Sequence, residues 1–231
     1  MHRSIPTNKV LVLGDGLLGS EIVKQTGWDY ISRKKDGLDI GDYQYMTNIF
    51  SDYDIIVNCI AHTDSYSYDG GEHWVTNFGF PALLSDITNT EQIKLVHIST
   101  EFVYADNPIP PTEEDLPQHD RSWYAHTKLM ADAYIQLNHS NYLICRELHK
   151  PNPFPYDKVW KVQTSGDTVD KIAELIIKLI NTDAQGVFNV GTGDKWLREL
   201  APNAEEIEAP AHVPKDTRMN LDKLNTWLSK N

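Results

Sequence analysis

Cysteine is nearly absent from this chain: only Cys59 and Cys145 occur, each within or at the end of an apolar run. So few cysteines exclude a disulfide-built scaffold and fit buried free thiols in a reducing compartment. Positive charge is also scarce, with 21 Lys and Arg against 33 Asp and Glu and a formal net charge of -12. A surface that tracks a nucleic-acid backbone needs clustered cations, so no nucleic-acid partner is expected. No stretch approaches the roughly 18 consecutive apolar residues of a membrane span, and Met1 to Lys9 lacks the apolar run of a signal peptide. A cytoplasmic protein with no membrane contact is the expectation. Metal-ligand spacing is missing too: His62 has no second ligand suitably placed nearby, so it reads as a loop histidine and no metal is expected.

What is present is the composition of an ordinary globular protein, 40% hydrophobic and 23% charged over 231 residues, enough for one large domain or a nucleotide-binding domain with a small appendage. The chain is organised around Val10-Leu11-Val12-Leu13-Gly14-Asp15-Gly16-Leu17-Leu18-Gly19. Four apolar residues that suit a buried parallel strand run into G-x-G-x-x-G, and helical spacing follows. Gly14 serves the turn, Gly16 lets backbone approach a pyrophosphate, and Gly19 lets the helix pack closely on the strand. The free N–H groups at the helix start, Leu17 and Leu18 among them, would face the phosphates. This predicts a dinucleotide site in an α/β protein with a doubly wound parallel sheet, the Rossmann arrangement.

Trp28 to Ser32 reads as the second strand. Where an acidic residue would bind a free ribose 2′-hydroxyl, the chain has Arg33-Lys34-Lys35, and Arg33 can instead pair with a 2′-phosphate, so NADP(H) is the expected cofactor. Asp39 and Ile40 follow where an adenine pocket would form. Tyr53 to Ala61 is a third, almost wholly apolar strand, and its carboxyl end, with Cys59 and Ala61, should line the cofactor cleft. Gly71 to Thr90 predicts a helix kinked or restarted at Pro81. Ile93 to Ile98 predicts a fourth strand ending in Ser99 and Thr100, whose hydroxyls can hydrogen-bond a carbonyl in the cleft or cap a turn. Asn107 to Gln118, rich in Pro and acid, predicts a loop that folds over something or stays mobile. In the helical run that follows, Tyr124 and Lys128 lie one turn apart, close enough for the ammonium to lower the tyrosine pKa and fit it for proton delivery.

These blocks together resemble an extended short-chain dehydrogenase/reductase of the dTDP-4-dehydrorhamnose reductase-like, sugar nucleotide-binding branch. The resemblance runs from Val10 to about Arg146 through Val57-Asn58-Cys59-Ile60-Ala61-His62-Thr63, Val75-Thr76-Asn77-Phe78-Gly79-Phe80-Pro81, Ile98-Ser99-Thr100-Glu101-Phe102-Val103-Tyr104 and Tyr124-Ala125-His126-Thr127-Lys128-Leu129. It implies an NADPH-dependent reductase of a 4-keto-6-deoxy sugar nucleotide in deoxysugar biosynthesis. Tyr124 would be the proton donor, Lys128 would hold the nicotinamide ribose, Thr100 with Ser99 would orient the carbonyl, and Asn77 would lie against the cofactor. It also implies two parts: an NADP-binding domain over 1–146, and over 147–231 a reduced, truncated substrate-binding region interleaved with the last strands.

The last third departs from that family. Where relatives insert a helix over the sugar nucleotide, Glu147 to Lys158 carries Pro151, Pro153 and Pro155 and suits no helix. An open substrate side is expected, with Lys150, Lys158 and Lys161 as the nearest cations for a diphosphate and a neighbouring subunit of a homo-oligomer as a source of help. Val159 to Gln163 predicts a strand, Asp167 to Ile180 a helix, Gly191-Thr192-Gly193 a plain turn, and Met219 to Leu228 a final helix. A non-catalytic, NADP-binding regulatory subunit of the same fold is the alternative. An epimerase that keeps NAD bound is disfavoured by Arg33.

Overall fold

The computed structural model describes residues 8–115, 117 and 122–231. Its centre is a six-stranded sheet built from β1 (Val10–Leu13), β2 (Asp29–Ile31), β3 (Ile55–Asn58), β4 (Lys94–Thr100), β5 (Tyr142–Glu147) and, after four shorter strands, β10 (Gly186–Val190). The spatial order is β10-β5-β4-β3-β1-β2 with every pairing parallel. Parallel strands need a crossover on one face or the other. Here α1 (Leu17–Thr26) and α6 (Val169–Asn181) cover one face, while α2 (Tyr43–Phe50), α4 (Phe80–Thr90) and α5 (Trp123–Asn138) cover the other. Both faces are therefore buried, which is why β1, β3 and β4 carry no exposed residue and why β1 and most of β3 read as apolar runs. Alternation sends Val96 and Ile98 to the α1/α6 side and Leu95 to the other.

The helix expected over Gly71 to Thr90 is continuous but changes its winding. A short α3 (Gly70–His73) passes into a π-helical turn over Trp74–Gly79 and then into α4. Pro81 has no N–H to give to the carbonyl four residues back, and the preceding Phe80 N–H reaches Val75 instead, five back. The wider turn takes up the misfit that was expected to kink the helix.

Beyond β5 the chain forms small sheets: β6 (His149–Lys150) pairs with β9 (Asp167–Thr168), β7 (Lys158–Trp160) with β12 (Glu205–Ile207), and β8 (Gln163–Thr164) lies between β11 (Lys195–Trp196) and β13 (Asp216–Thr217). They enclose a separate core of Val159, Val162, Leu197, Ala201 and Val213. As expected, no helix forms between β6 and β7, and α7 (Asp222–Leu228) ends the fold. Gly191 belongs to a turn, as expected, where a Cβ would lie 2.1 Å from the Ser165 carbonyl oxygen. The proline-rich segment is pinned: the Pro111 carbonyl accepts from Asn189 and from the Asn220 N–H, and Glu113 accepts from the Asn189 N–H at 2.8 Å. Leu116 and Gln118 of that segment lie outside the described residues. Among the described residues no helix is long and apolar enough to cross a membrane.

Candidate active site

The glycine turn behaves as its spacing predicts. Gly14 has φ +100°, a value that glycine tolerates, and a Cβ on Gly19 would sit 2.2 Å from the Gly14 carbonyl oxygen, so α1 is held against the turn. Gly16 is different: its φ is -67° and a Cβ there would meet no atom of the described residues within 4 Å. Nothing in the chain itself requires glycine at this position, which is what a backbone kept clear for a ligand looks like. The first intrahelical bond runs from Ser20 N–H to Gly16, so the N–H groups of Leu17, Leu18 and Gly19 have no helical acceptor. They open beside a cavity of about 240 Å³ lined by Gly14, Asp15, Gly19, Ser20, Tyr30 and Lys35, among others. These donors and this cradle fit a dinucleotide pyrophosphate.

Arg33 is exposed and does not line that cavity; Lys35 does. Lys35 turns back to pair with Asp15 of the glycine turn at 2.8 Å, neutralising a carboxylate that would otherwise repel phosphate. Sequence reasoning missed both, because three consecutive cations give no sign of which one folds inward. Asp39 accepts from the Gly41 N–H at 2.9 Å, and neither Asp39 nor Ile40 lines the cavity. Beyond β3, Cys59 packs its Cβ 3.3 Å from where a Gly19 Cβ would be. Burial pushes its thiol up to about 12, leaving it inert. Ala61 is half-buried beside it. Asn77 clamps the next residue, accepting from His62 N–H at 2.8 Å and donating to the His62 carbonyl at 3.0 Å, with His73 as a further partner. Both of its amide N–H groups are thereby engaged, so it shapes the loop bordering the cleft.

At the other end, Ser122 caps α5 through Ala125 N–H and the helix lays Tyr124 and Lys128 against the end of β4. Tyr124 faces the Thr100 side chain, and its ring meets Phe102 and His73 edge-on at 6.0 and 6.1 Å. Thr100 also caps the following turn through Phe102 N–H. Ser99 points to the face opposite Thr100 by strand alternation, and its buried Oγ has no hydrogen-bond partner among the described residues. The expectation that Lys128 lowers the Tyr124 pKa is overturned. Lys128 is buried with its ammonium donating to the Ile98 carbonyl, and burial brings it down to about 8 against the opposing pull of Asp132 and Glu147. The Tyr124 phenol is instead pushed above its ordinary value by burial and then by Glu147. It keeps its proton firmly at neutral pH.

Two groups not anticipated from sequence, Glu147 and Glu101, and one that was, Lys150, complete this end. Glu147, at the tip of β5, is paired with His149 at 3.0 Å. Glu101, just past Thr100, accepts hydrogen bonds from Thr164 and Thr217, and burial raises it to about 8. Lys150 leads into a second cavity of about 590 Å³, walled by Phe154, Tyr156, Lys158, Trp160 and Ile207. Rings connect the two regions: Tyr124 to Phe102, Phe102 to Tyr66 at 6.3 Å, and Tyr66 to Trp160 at 6.0 Å. Lys161, the third cation expected here, turns away to pair with Glu208 at 3.5 Å.

The sheet order and glycine turn define an α/β protein of the Rossmann class. More narrowly, the chain belongs to the RmlD substrate binding domain family, whose model matches residues 8–148. It is 31% identical over 147 residues to the spore coat polysaccharide biosynthesis protein SpsK of Bacillus subtilis, covering 60% of this chain and 52% of that protein. It is 27% identical over 138 residues to dTDP-4-dehydrorhamnose reductase of Mycobacterium tuberculosis, covering 54% and 44% respectively. The chain thus spans about half the length of the curated relatives it matches. In three dimensions it resembles dTDP-4-dehydrorhamnose reductase from Bacillus anthracis, solved in complex with NADP, with a TM-score of 0.81 at 20% identity over 95% of this chain and 92% of that one. The Clostridium acetobutylicum dTDP-4-dehydrorhamnose reductase gives 0.80 at 20% identity, over 96% and 92%. At that identity these likenesses establish the fold.

Proposed function

We propose that this chain is an NADPH-dependent reductase that converts the ketone of a 4-keto-6-deoxy sugar nucleotide to an alcohol, as a short-chain dehydrogenase/reductase. The observation that carries the reading is the meeting of Thr100, Tyr124 and Lys128 at the end of β4, on the same carboxyl edge of the parallel sheet as a glycine turn kept clear at Gly16. The names of the relatives support it. In this reading residues 1–146 hold the cofactor and 147–231 form the smaller substrate side.

The pyrophosphate rests on the N–H groups after Gly16, and Lys35, with Arg33 beside it, meets the 2′-phosphate. Cys59 and Ala61 border the cofactor, and Lys128 holds the nicotinamide ribose. The bound, reduced nicotinamide supplies a hydride. Tyr124 donates its proton to the ketone oxygen, and Thr100 orients both. A pKa held high by burial keeps the phenol protonated until the alkoxide develops, so it acts as a general acid at neutral pH. The sugar nucleotide occupies the larger cavity, its base against Tyr156 and Trp160 and its diphosphate near Lys150 and Lys158.

Oxidation of NADPH in the presence of dTDP-4-dehydrorhamnose tests the reading. A chain that binds NADPH but oxidises none of it against this and related 4-keto sugars is the non-catalytic subunit instead. Failure to bind NADPH overturns both.

A further inference from the structure

Proton donation by Tyr124 leaves a tyrosinate, and burial makes that tyrosinate a strong base in need of a proton. Two residues with no part in the scheme above stand where one can be supplied. Glu147 is the register neighbour of Thr100 across the β4–β5 pair, and both Thr100 and Glu147 lie close enough to Tyr124 to act on its hydroxyl. Strand alternation puts Thr100 and Glu147 on one face of the sheet. The Glu147 carboxylate is nearly sealed, with 4% of its side chain exposed, whereas His149, which faces it through Nδ1 at 3.0 and 3.1 Å from the two carboxylate oxygens, is 26% exposed. The pair therefore spans the distance from the reacting end of the cleft to solvent.

We propose that Glu147 and His149 are relay residues that return a proton to Tyr124 after each reduction. This rests on Tyr124 being the proton donor. In the reduction, the Tyr124 O–H bond breaks and an O–H bond forms on the substrate oxygen, while the hydride makes the new C–H bond. A proton on Nδ1 of His149 then passes to Glu147, the carboxyl proton passes by way of Thr100 to the Tyr124 oxygen, and water recharges the imidazole. The cycle consumes one solvent proton per ketone, as the reduction requires. The other groups facing the pair are Tyr124 and Lys128 from α5, Glu101 after β4, Cys59 after β3, Cys145 within β5, and Lys150. Both thiols stay neutral because burial raises them. Lys128 is the competing proton source, but its ammonium is turned to the Ile98 carbonyl.

Rapid mixing of the full chain with NADPH and dTDP-4-dehydrorhamnose tests the relay. His149→Gln and Glu147→Gln should each complete the first turnover at the wild-type rate, since Tyr124 begins protonated, and then run at least tenfold slower than wild type in the steady state. Imidazole added to His149→Gln should restore the steady state, and the NADPH dissociation constants of both variants should stay within about twofold of wild type. A merely structural pair would slow the first turnover too and would show no rescue. Unchanged steady-state rates would assign the proton to Lys128 and overturn the relay. If Glu147→Gln fails to fold, the partly exposed His149→Gln carries the test alone. A wild-type chain that oxidises no NADPH brings down the functional reading and the relay with it, an outcome distinct from active variants.

Discussion

At the scale of single residues, the proposed chemistry turns on Tyr124. Tyr124→Phe removes one hydroxyl from a site already well packed by Phe102 and His73. It should leave the fold and NADPH affinity intact while lowering turnover about a hundredfold or more, the usual scale for a positioned general acid; turnover at the wild-type rate would make Tyr124 a packing residue. For the cofactor, Lys35→Ala should erode the preference for NADPH over NADH more than Arg33→Ala does, by about 1.5–3 kcal/mol if its ammonium meets the 2′-phosphate. Equal dissociation constants for the two cofactors in the unmodified chain would end that assignment. Glu101 gives a stability prediction. Its folded carboxyl titrates at about 8 against an ordinary 4.5, so between those values the folded chain holds a proton that the unfolded chain has lost. Stability from this group is therefore present below pH 4.5 and falls as pH rises to about 8. Glu101→Gln, which can still meet Thr164 and Thr217, should remove that slope, as denaturant midpoints at pH 5 and pH 8 would reveal.

At the scale of elements, the contact between α5 and β5 is fixed by an ion pair removed from water. Arg146 donates to Asp132 at 2.9 Å, with 3% and 0% of the two side chains exposed, and its guanidinium also lies 4.9 Å from the Tyr104 ring. Asp132→Ala would strand a buried cation, and a loss of about 3–5 kcal/mol is expected in denaturant titration, with much of it recovered when Arg146 is also changed to Met. Nothing in the sequence announces this pair or the bonds from Glu101 to Thr164 and Thr217, because partners so far apart along the chain are joined only by the topology. What could be read was local. The strands buried on both faces declare themselves as apolar runs, the glycine turn by its spacing, and Tyr124 and Lys128 by a single helical turn. The π-helical turn at Trp74–Gly79 shows in the sequence only as a proline in an awkward place. The direction of the Tyr124 pKa shift depends on how deeply the ring is buried and on Glu147, neither of which spacing reveals.

At the scale of the whole molecule, the substrate side is where sequence and structure bear on each other most. The stretch from Lys150 to Trp160 forms no covering helix, yet it walls the larger cavity together with Leu197 and Ile207. Two lysines and three aromatic rings can hold a nucleoside diphosphate with little to close over it. Calorimetry with dTDP at saturating NADPH should therefore give a dissociation constant above a micromolar, and submicromolar binding by a monomer would show that the short stretch makes a complete pocket unaided. The central sheet carries another consequence. Its β10 edge comes from Gly186–Val190, long after β5 has been made. During synthesis on the ribosome the outer edge of β5 stays bare, with its backbone groups open to any passing strand, until that late segment emerges and closes it. The tip of that same strand bears Glu147, so the reacting end of the cleft is among the last parts of the protein to take its final form.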